Sequence, residues 1–228
     1  MERIFVCSDL SLAPHGCGLD LEIGPGEFVA LREVPERHES DVLLAAATLR
    51  RPARGALSVC GQAAEFRRRE RLLRMRRSIG YVGAGSTLVS DLSLRHNLLL
   101  GHSYRGRERE AAGDVCALAA LLRLEPALEM KPGHLPFELQ RLAIFARELA
   151  KRPRLLVLDR PGLGLSEQAA RVLCQALAEA KRGGMAALMS AEQPFLALAD
   201  RVIVLEEGQP AKELAACAGG RNPAGALA

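Results

Sequence analysis

The sequence predicts an α/β domain with a largely parallel central sheet. Six short apolar runs of strand-like composition lie at residues 27–31, 56–61, 78–83, 154–159, 185–190 and 201–208. Helical patterns separate several of them, and strands that alternate with helices are typical of α/β domains. Between the third and fourth runs the chain is mainly helical, which predicts an inserted helical subdomain at about 84–150.

The elements follow one another with recognisable local signals. The stretch "LEIGPGEFVAL" indicates a strand entered through a tight turn, and "VLLAAATLRRPARG" indicates a helix closed by Pro52 and Gly55. Further helices are predicted at 109–124, 138–151 and 167–182 from their spacing of apolar residues. The tail from 213 is rich in Gly and Ala, so we expect it to be flexible.

Composition places the chain among ordinary globular proteins. Its 228 residues are 49% apolar and 25% charged, enough for one large domain or one domain with an insert. No apolar run approaches the roughly 20 residues that span a bilayer, and "MERIFVCSDL" has no signal-peptide core. The six cysteines are scattered, so we expect free thiols in a cytosolic protein. No zinc-type spacing assigns a metal site.

Several strings in fixed order carry a family resemblance. "RPARGALSVCG", "LRMRRSIGYV", "STLVSDLSLRHNLLLG", "LQRLAIFARELAKRPRLLVLDRP" and "LALADRVIVLEEG" together resemble the nucleotide-binding subunit of ABC transporters over nearly the whole chain. The resemblance implies an ABC-type P-loop NTPase fold with an N-terminal antiparallel β portion. It also implies an ABC core at 1–83 and 151–212, a helical insert at 84–150 and a tail at 213–228.

The phosphate-binding loop departs from the family pattern. In the family this loop is G-x-x-x-x-G-K-[ST], whose glycines let backbone N–H groups converge on phosphate. Here the glycines fall on Glu33 and His38, the lysine on Glu39 and the hydroxyl residue on Ser40, with Asp41 next. One wrong-signed charge near 4 Å costs about 4 kcal/mol at an effective dielectric of about 20. We therefore predict that ATP and magnesium are not bound, that no cofactor is needed, and that Ser40 caps a helix.

The positions that carry catalysis in the family are replaced as well. The Q-loop glutamine falls on Ala84, the catalytic glutamate on Arg160, the D-loop aspartate on Ser166 and the switch histidine on Ala191. An arginine stays protonated and cannot act as a general base. Only the Walker B aspartate is kept, as Asp159, and we expect it to be a buried, hydrogen-bonded remnant. The chain is therefore predicted not to be an enzyme.

The signature motif, L-S-G-G-Q in the family, corresponds to "LPFEL" in this chain. Pro136, Phe137 and Glu138 replace the serine and the glycines that donate hydrogen bonds to a partner's phosphate. Proline removes a donor, and the other two add bulk and negative charge. The resemblance thus implies that this segment is a remnant.

Partners follow from the segment after the Q-loop. "STLVSDLSLRHNLL" resembles the family's permease-facing segment, which implies a partner interface at Leu88, Asp91, Leu92 and Leu98. We therefore expect a non-catalytic structural or regulatory scaffold of an ABC-type membrane transport complex. It would dock on an integral membrane permease, pair with its own copy or another cassette, and lie on the cytoplasmic face of the membrane. "LVSDLSLRHN" also resembles the phospholipid-transport branch, which implies an MCE-type lipid-binding partner.

Two alternatives stay open at the level of sequence. One is a residual nucleotide-binding or weakly hydrolysing subunit that uses Asp159. The other is a soluble nucleic-acid-binding regulatory module that uses the arginines of "FRRRERLLRMRR", residues 66–77. Only Phe66 interleaves those arginines, so a solvated basic helix is favoured and no nucleic-acid partner is expected.

Overall fold

The computed structural model describes residues 2–12, 18–34, 40–104, 106–206 and 209–215. The strands in these ranges are β1 (Phe5–Ser11), β2 (Leu19–Ile23), β3 (Phe28–Val34), β4 (Arg54–Val59), β5 (Gln62–Ala63), β6 (Ile79–Val82), β7 (Leu155–Leu158), β8 (Ala186–Ser190), β9 (Arg201–Glu206) and β10 (Lys212–Ala215). The α-helices are α1 (Asp41–Ala46), α2 (Arg69–Met75), α3 (Leu94–Ser103), α4 (Glu108–Leu121), α5 (Phe137–Ala150) and α6 (Glu167–Arg182).

The main sheet has six strands in the order β10-β9-β3-β8-β7-β6. Neighbouring strands from β9 to β6 are parallel, and β10 alone among the described strands of this sheet pairs antiparallel at its edge. The central strands β7 and β3 are almost wholly apolar where they are buried, as expected for parallel strands covered on both faces. The predicted α/β class is therefore confirmed.

Alternate residues of the central strands pack into two different apolar cores, one on each face of the main sheet. Val29 and Leu31 of β3 pack towards a four-stranded antiparallel sheet of order β2-β1-β4-β5, together with α1. Phe28 and Ala30 of the same strand face the helices, where they join the core that includes Leu98 and Phe145. Side chains of a strand alternate between faces, so one apolar strand can support both layers.

The segment between β6 and β7 is helical, as the sequence predicts. Helices α3, α4 and α5 contact one another there and bury a shared apolar face. Among the described residues, the structure contains no helix that combines the length and the apolar character needed to cross a membrane.

The end of the described chain differs from the prediction. The flexible tail was expected to begin at 213, but Lys212–Ala215 form β10 and pair with β9. The reason is the antiparallel backbone pairing with β9, from Lys212 opposite Val204 to Ala215 opposite Arg201, which the Gly/Ala content does not reveal. Glu213 also makes an ion pair with Arg201 at 3.2 Å, and Lys212 makes one with Glu206 at 3.0 Å. Residues 216–228 lie outside the described residues.

Candidate functional site

A cavity of about 220 Å³ lies at the carboxyl ends of the parallel strands β3, β7 and β8. Ligands of open α/β sheets bind at this edge as a rule. The lining residues are Leu31, Arg32, Glu33, Ser40, Leu43, Asp159, Arg160, Ser190, Ala191 and Glu192. The cavity therefore brings together five of the positions singled out in the sequence: Glu33, Ser40, Asp159, Arg160 and Ala191.

Ser40 connects three parts of this cavity. It is the N-cap of α1, where its hydroxyl accepts a hydrogen bond from the Leu43 N–H at 3.3 Å, as predicted. The same hydroxyl donates to Glu33 Oε1 at 2.5 Å. The Ser40 N–H donates to Asp159 Oδ2 at 3.4 Å, and Asp159 is buried. Asp41 follows in the first turn of α1 and makes an ion pair with Arg50.

Two of the predicted loop positions, His38 and Glu39, lie outside the described residues. Ala84 lies in the turn after β6 and is not among the residues that line the cavity.

Arg160 follows Asp159 and has a fixed backbone. Its N–H donates to Ser190 Oγ at 2.8 Å, and its φ of 48° places it in the left-handed region. Two residues on, the Gly162 N–H donates to Glu192 Oε2 at 3.2 Å. The side chain lines the cavity, and its Nε is buried with no hydrogen-bond partner in the described part of the chain. This arrangement places a permanent positive charge in the cavity wall.

The replaced signature residues contact the loop that precedes α6. Glu138 Oε1 accepts a hydrogen bond from the Ser166 N–H at 2.6 Å. Hydrogen bonds from the Ser166 side chain and backbone lower the pKa of the Glu138 carboxyl. Phe137 is 60% exposed and lies over Gly164, where an added Cβ would meet the ring at 2.2 Å. Pro136 occupies the N-cap position of α5 without a side-chain bond. The sequence did not predict that Glu138 and Ser166 would meet.

The predicted partner interface is only partly on the surface. Asp91 is exposed, and Leu88 and Leu92 are half-buried. Leu98 is fully buried and packs in the helical core, so its assignment as an interface residue needs correction. It fails because position 98 lies on the inner face of α3, which the apolar run "NLLLG" does not distinguish from an outer face. Val89, which the sequence analysis did not single out, is 41% exposed beside them.

Asn97 fixes the loop before α3 and was missed in the sequence. It is fully buried, and its Oδ1 accepts from the Val89 N–H at 2.7 Å. Its Nδ2 donates to the carbonyls of Val89, Leu92 and Ser93 at 3.0 to 3.2 Å. An asparagine inside the apolar string "LRHNLLL" was the available signal, since buried polar groups need partners.

Arg141 of α5 was also missed. It is only 1% exposed, and it donates from Nε to the Leu163 carbonyl at 3.2 Å and from Nη1 to the Gly83 carbonyl at 2.9 Å. Burial, and next the like charge of Arg160, lower the pKa of its guanidinium. Its Nη2 is buried without a partner among the described residues. The signal in the sequence was a basic residue on the apolar face of "LQRLAIFARELA".

Comparisons with known proteins agree with this architecture. No family model matches the chain. The lipoprotein-releasing system ATP-binding protein LolD 1 of Rhodospirillum rubrum is 36% identical over 200 residues, which cover 84% of this chain and 87% of that protein. LolD of a Ruegeria species is 33% identical, with 84% and 86% covered. The Nod factor export ATP-binding protein I of Burkholderia orbicola is 30% identical over 86% of this chain and 64% of its own length.

Solved structures give the same fold. The ATP-binding subunit of an ABC transporter superposes with a TM-score of 0.80 at 22% identity, covering 93% of this chain and 90% of the other. A dimeric ATP-binding cassette in a post-hydrolysis state, bound to ADP and phosphate, gives 0.78 at 20% identity, covering 96% and 100%. At such identity these structures establish the fold alone.

The fold is therefore that of an ATP-binding cassette. It combines a six-stranded sheet with a four-stranded antiparallel sheet, a helical segment between β6 and β7, and a cavity at the carboxyl ends of the parallel strands. The chain belongs to the ATP-binding cassette family of ABC transporter subunits. Within that family it is similar to LolD-type and NodI-type ATP-binding proteins.

Two predictions are contradicted by these relatives. The sequence reasoning predicted that the chain is not an enzyme and that it needs no cofactor because ATP and magnesium binding are lost. The relatives at 30–36% identity are named ATP-binding proteins, and the description of the chain as a degenerate pseudo-ATPase has no support among them. The predicted loss of binding depended on the side chains at single positions. Much of a phosphate site consists of backbone N–H groups, whose directions a residue-by-residue comparison does not reveal.

Proposed function

We propose that the chain is the ATP-binding subunit of an ABC-type membrane transport complex. It docks on an integral membrane permease at the cytoplasmic face, pairs with its own copy or another cassette, and serves as a regulatory scaffold. The relatives' names support the nucleotide and transport assignments. The docking assignment draws on the loop at 87–93 described next.

The observation that carries the docking assignment is that buried and half-buried side chains bind the backbone of this loop while some of its own side chains are exposed to solvent. Asn97 holds the loop through four hydrogen bonds, and Arg147 Nη1 donates to the Thr87 carbonyl at 2.8 Å. Val89 and Asp91 remain exposed on the held backbone. A fixed loop loses little conformational entropy when a partner binds, which favours docking.

The cavity supports nucleotide binding. Ser40 and Asp159 occupy it together, and Arg160 places a positive charge in its wall.

Further parts of the proposal concern organisation and cargo. We take 1–83 and 151–212 as the core and 84–150 as the helical insert that carries the docking loop. The names of the LolD relatives favour a lipid-modified protein as cargo. A phospholipid cargo with an MCE-type partner is carried only by the short resemblance at "LVSDLSLRHN".

In the test, a tagged chain is expressed in the cells that naturally contain it, the membranes are solubilised in mild detergent, and the tagged chain is purified. The expected result is co-purification of an integral membrane protein with the wild type, with the loss of that protein in Val89→Asp. Leu73→Asp is the matched control, since Leu73 is 48% exposed and Val89 is 41% exposed. If both variants retain the membrane protein, the docking surface is wrong. If Mg-ATP does not bind to the intact complex, the nucleotide assignment is wrong.

A further inference from the structure

We propose that Arg160 is a phosphate-binding residue of this cavity and contacts a phosphoryl oxygen of the bound nucleotide. This inference rests on the proposed function, because it names a residue for the nucleotide assigned to the same cavity. The charge that the family supplies from its phosphate loop would here come from the end of β7.

Two guanidinium groups have unmet hydrogen-bonding capacity. Among the described residues, the two buried side-chain nitrogen or oxygen atoms without a partner are Arg160 Nε and Arg141 Nη2. Buried polar groups are nearly always hydrogen-bonded in native proteins, so such atoms call for an explanation. Arg160 lines the cavity, and a phosphoryl oxygen placed there would supply the missing acceptor.

The backbone around Arg160 is fixed by hydrogen bonds on both sides of the residue. The Arg160 N–H is held by Ser190, and the Gly162 N–H is held by Glu192. Arg141 binds the Leu163 carbonyl from beneath the same loop. A cation on a fixed backbone is preorganised for a ligand and loses little freedom when the ligand arrives.

The carboxylates of the cavity wall and Arg160 differ in how far their hydrogen-bonding groups are occupied. The carboxylates in the cavity wall are already hydrogen-bonded inside the protein: Glu33 to Ser40, Asp159 to the Ser40 N–H, and Glu192 to the Gly162 N–H. In the described part of the chain no ion pair joins Arg160 to a carboxylate, while its charge repels that of Arg141. An anion beside Arg160 would relieve this repulsion.

The experiment is a calorimetric titration of Mg-ATP, and separately of inorganic phosphate, into four purified proteins. These are the wild type, Arg160→Gln, Arg160→Lys and Arg171→Gln. Arg171 is the control because it is an exposed arginine on α6, where it pairs with Glu167. We expect Arg160→Gln to weaken Mg-ATP binding about tenfold or more, which is the size of a charge-assisted hydrogen bond. Arg160→Lys should lose less, since it keeps the charge but not the planar fork.

The outcomes separate this inference from the proposed function. Equal Mg-ATP affinity in the wild type and Arg160→Gln would overturn the inference and leave the function intact. A wild type that binds inorganic phosphate through Arg160 but does not bind Mg-ATP would support the anion contact and overturn the nucleotide assignment. A wild type that binds neither would overturn both. Arg160→Gln should keep the wild-type melting temperature or exceed it, so weaker binding would not reflect unfolding.

Discussion

Asn97 and Arg141 each hold irregular backbone in place in a different region of the molecule, but they differ in charge and in how many of their hydrogen-bonding groups have partners. Each is a buried polar residue of a helix that reaches out to irregular backbone. Asn97 holds the loop before α3, and Arg141 holds the turn at Gly83 and the loop at Leu163. The amide of Asn97 uses both its oxygen and its nitrogen, whereas Arg141 has one nitrogen without a partner among the described residues.

The difference indicates two kinds of region. Asn97 is neutral and its hydrogen-bonding groups are all used, so it fixes the conformation of the loop without needing a further ligand. This suits a docking loop. Arg141 is a charged side chain beside a second positive charge, Arg160, and its Nη2 has no partner among the described residues, so a bound anion would be stabilised near this pair. We therefore regard the loop at 87–93 as a rigid surface and the region of Arg141 and Arg160 as prepared for a ligand.

The largest effect on stability is expected for Asn97→Ala. The change leaves the Val89 N–H and the carbonyls of Val89 and Leu92 without their side-chain partner at a partly buried place. We expect a loss of about 3 kcal/mol in the free energy of unfolding, because buried unsatisfied groups cost about 1–3 kcal/mol each and the loop can partly relax. Urea unfolding monitored by circular dichroism measures it, and permease association should fall as well.

The control for that variant is its neighbour. His96 is exposed and contacts Ser93 on the surface, so His96→Ala should change stability by less than about 0.5 kcal/mol. If Asn97→Ala costs no more than His96→Ala, the loop is not held in the way described, and the contrast with Arg141 disappears.

A smaller loss is expected for Arg141→Ala. The variant removes the hydrogen bonds to Gly83 and Leu163 and leaves a cavity beside Phe145, whose ring lies 5.7 Å from the guanidinium. It also removes a buried charge that lacks a full set of partners, which offsets part of the cost. We expect about 2 kcal/mol by urea unfolding. A loss clearly larger than that of Asn97→Ala would contradict the idea that the buried charge of Arg141 offsets part of its stabilising contacts.

The fold could be predicted from the sequence because it depends on patterns that many residues share. The apolar runs at 27–31 and 154–159 became the central strands β3 and β7, and the helical stretch after β6 became α3 to α5. Leu98 was misassigned because an apolar residue on a helix gives no sign of which partner it packs against. The end of the chain was misjudged because β10 depends on contacts with β9, which are distant in sequence from the Gly/Ala tail.

The site was harder to predict because it depends on single residues and on distance. Motif alignment located Ser40, Asp159 and Arg160, which do meet at one cavity. It could not show that Arg160 Nε has no hydrogen-bond partner among the described residues, or that Arg141 contacts the loop after Arg160. Two residues 19 positions apart in the chain can be near or far apart in space. The motif alignment also led to the prediction that ATP is not bound, because motif residues are replaced. The ATP-binding relatives contradict that prediction.

The smallest effect concerns Glu138, which lies on α5 near Arg141 but at the surface. Its carboxylate accepts from Ser166, and these hydrogen bonds lower its pKa from the ordinary value of 4.5. Because the folded pKa is depressed, the stabilisation is present above the unfolded pKa and is lost as the pH falls through the folded value. Glu138→Gln should therefore be less stable than the wild type at pH 7, by at most about 0.5 kcal/mol given its exposure to solvent.

The measurement for Glu138 is the difference in melting temperature between wild type and Glu138→Gln from pH 7 to pH 3. The two curves should converge below pH 4.5, once the wild-type carboxyl is protonated and accepts more weakly. Glu125→Gln, which removes an exposed carboxylate with no hydrogen bond in the described chain, is the matched control. A Glu138 difference that stays constant with pH would mean that the Ser166 contact is not charge-assisted. The loop at 160–166 would then be held to α5 by Arg141 and not by the replaced signature segment.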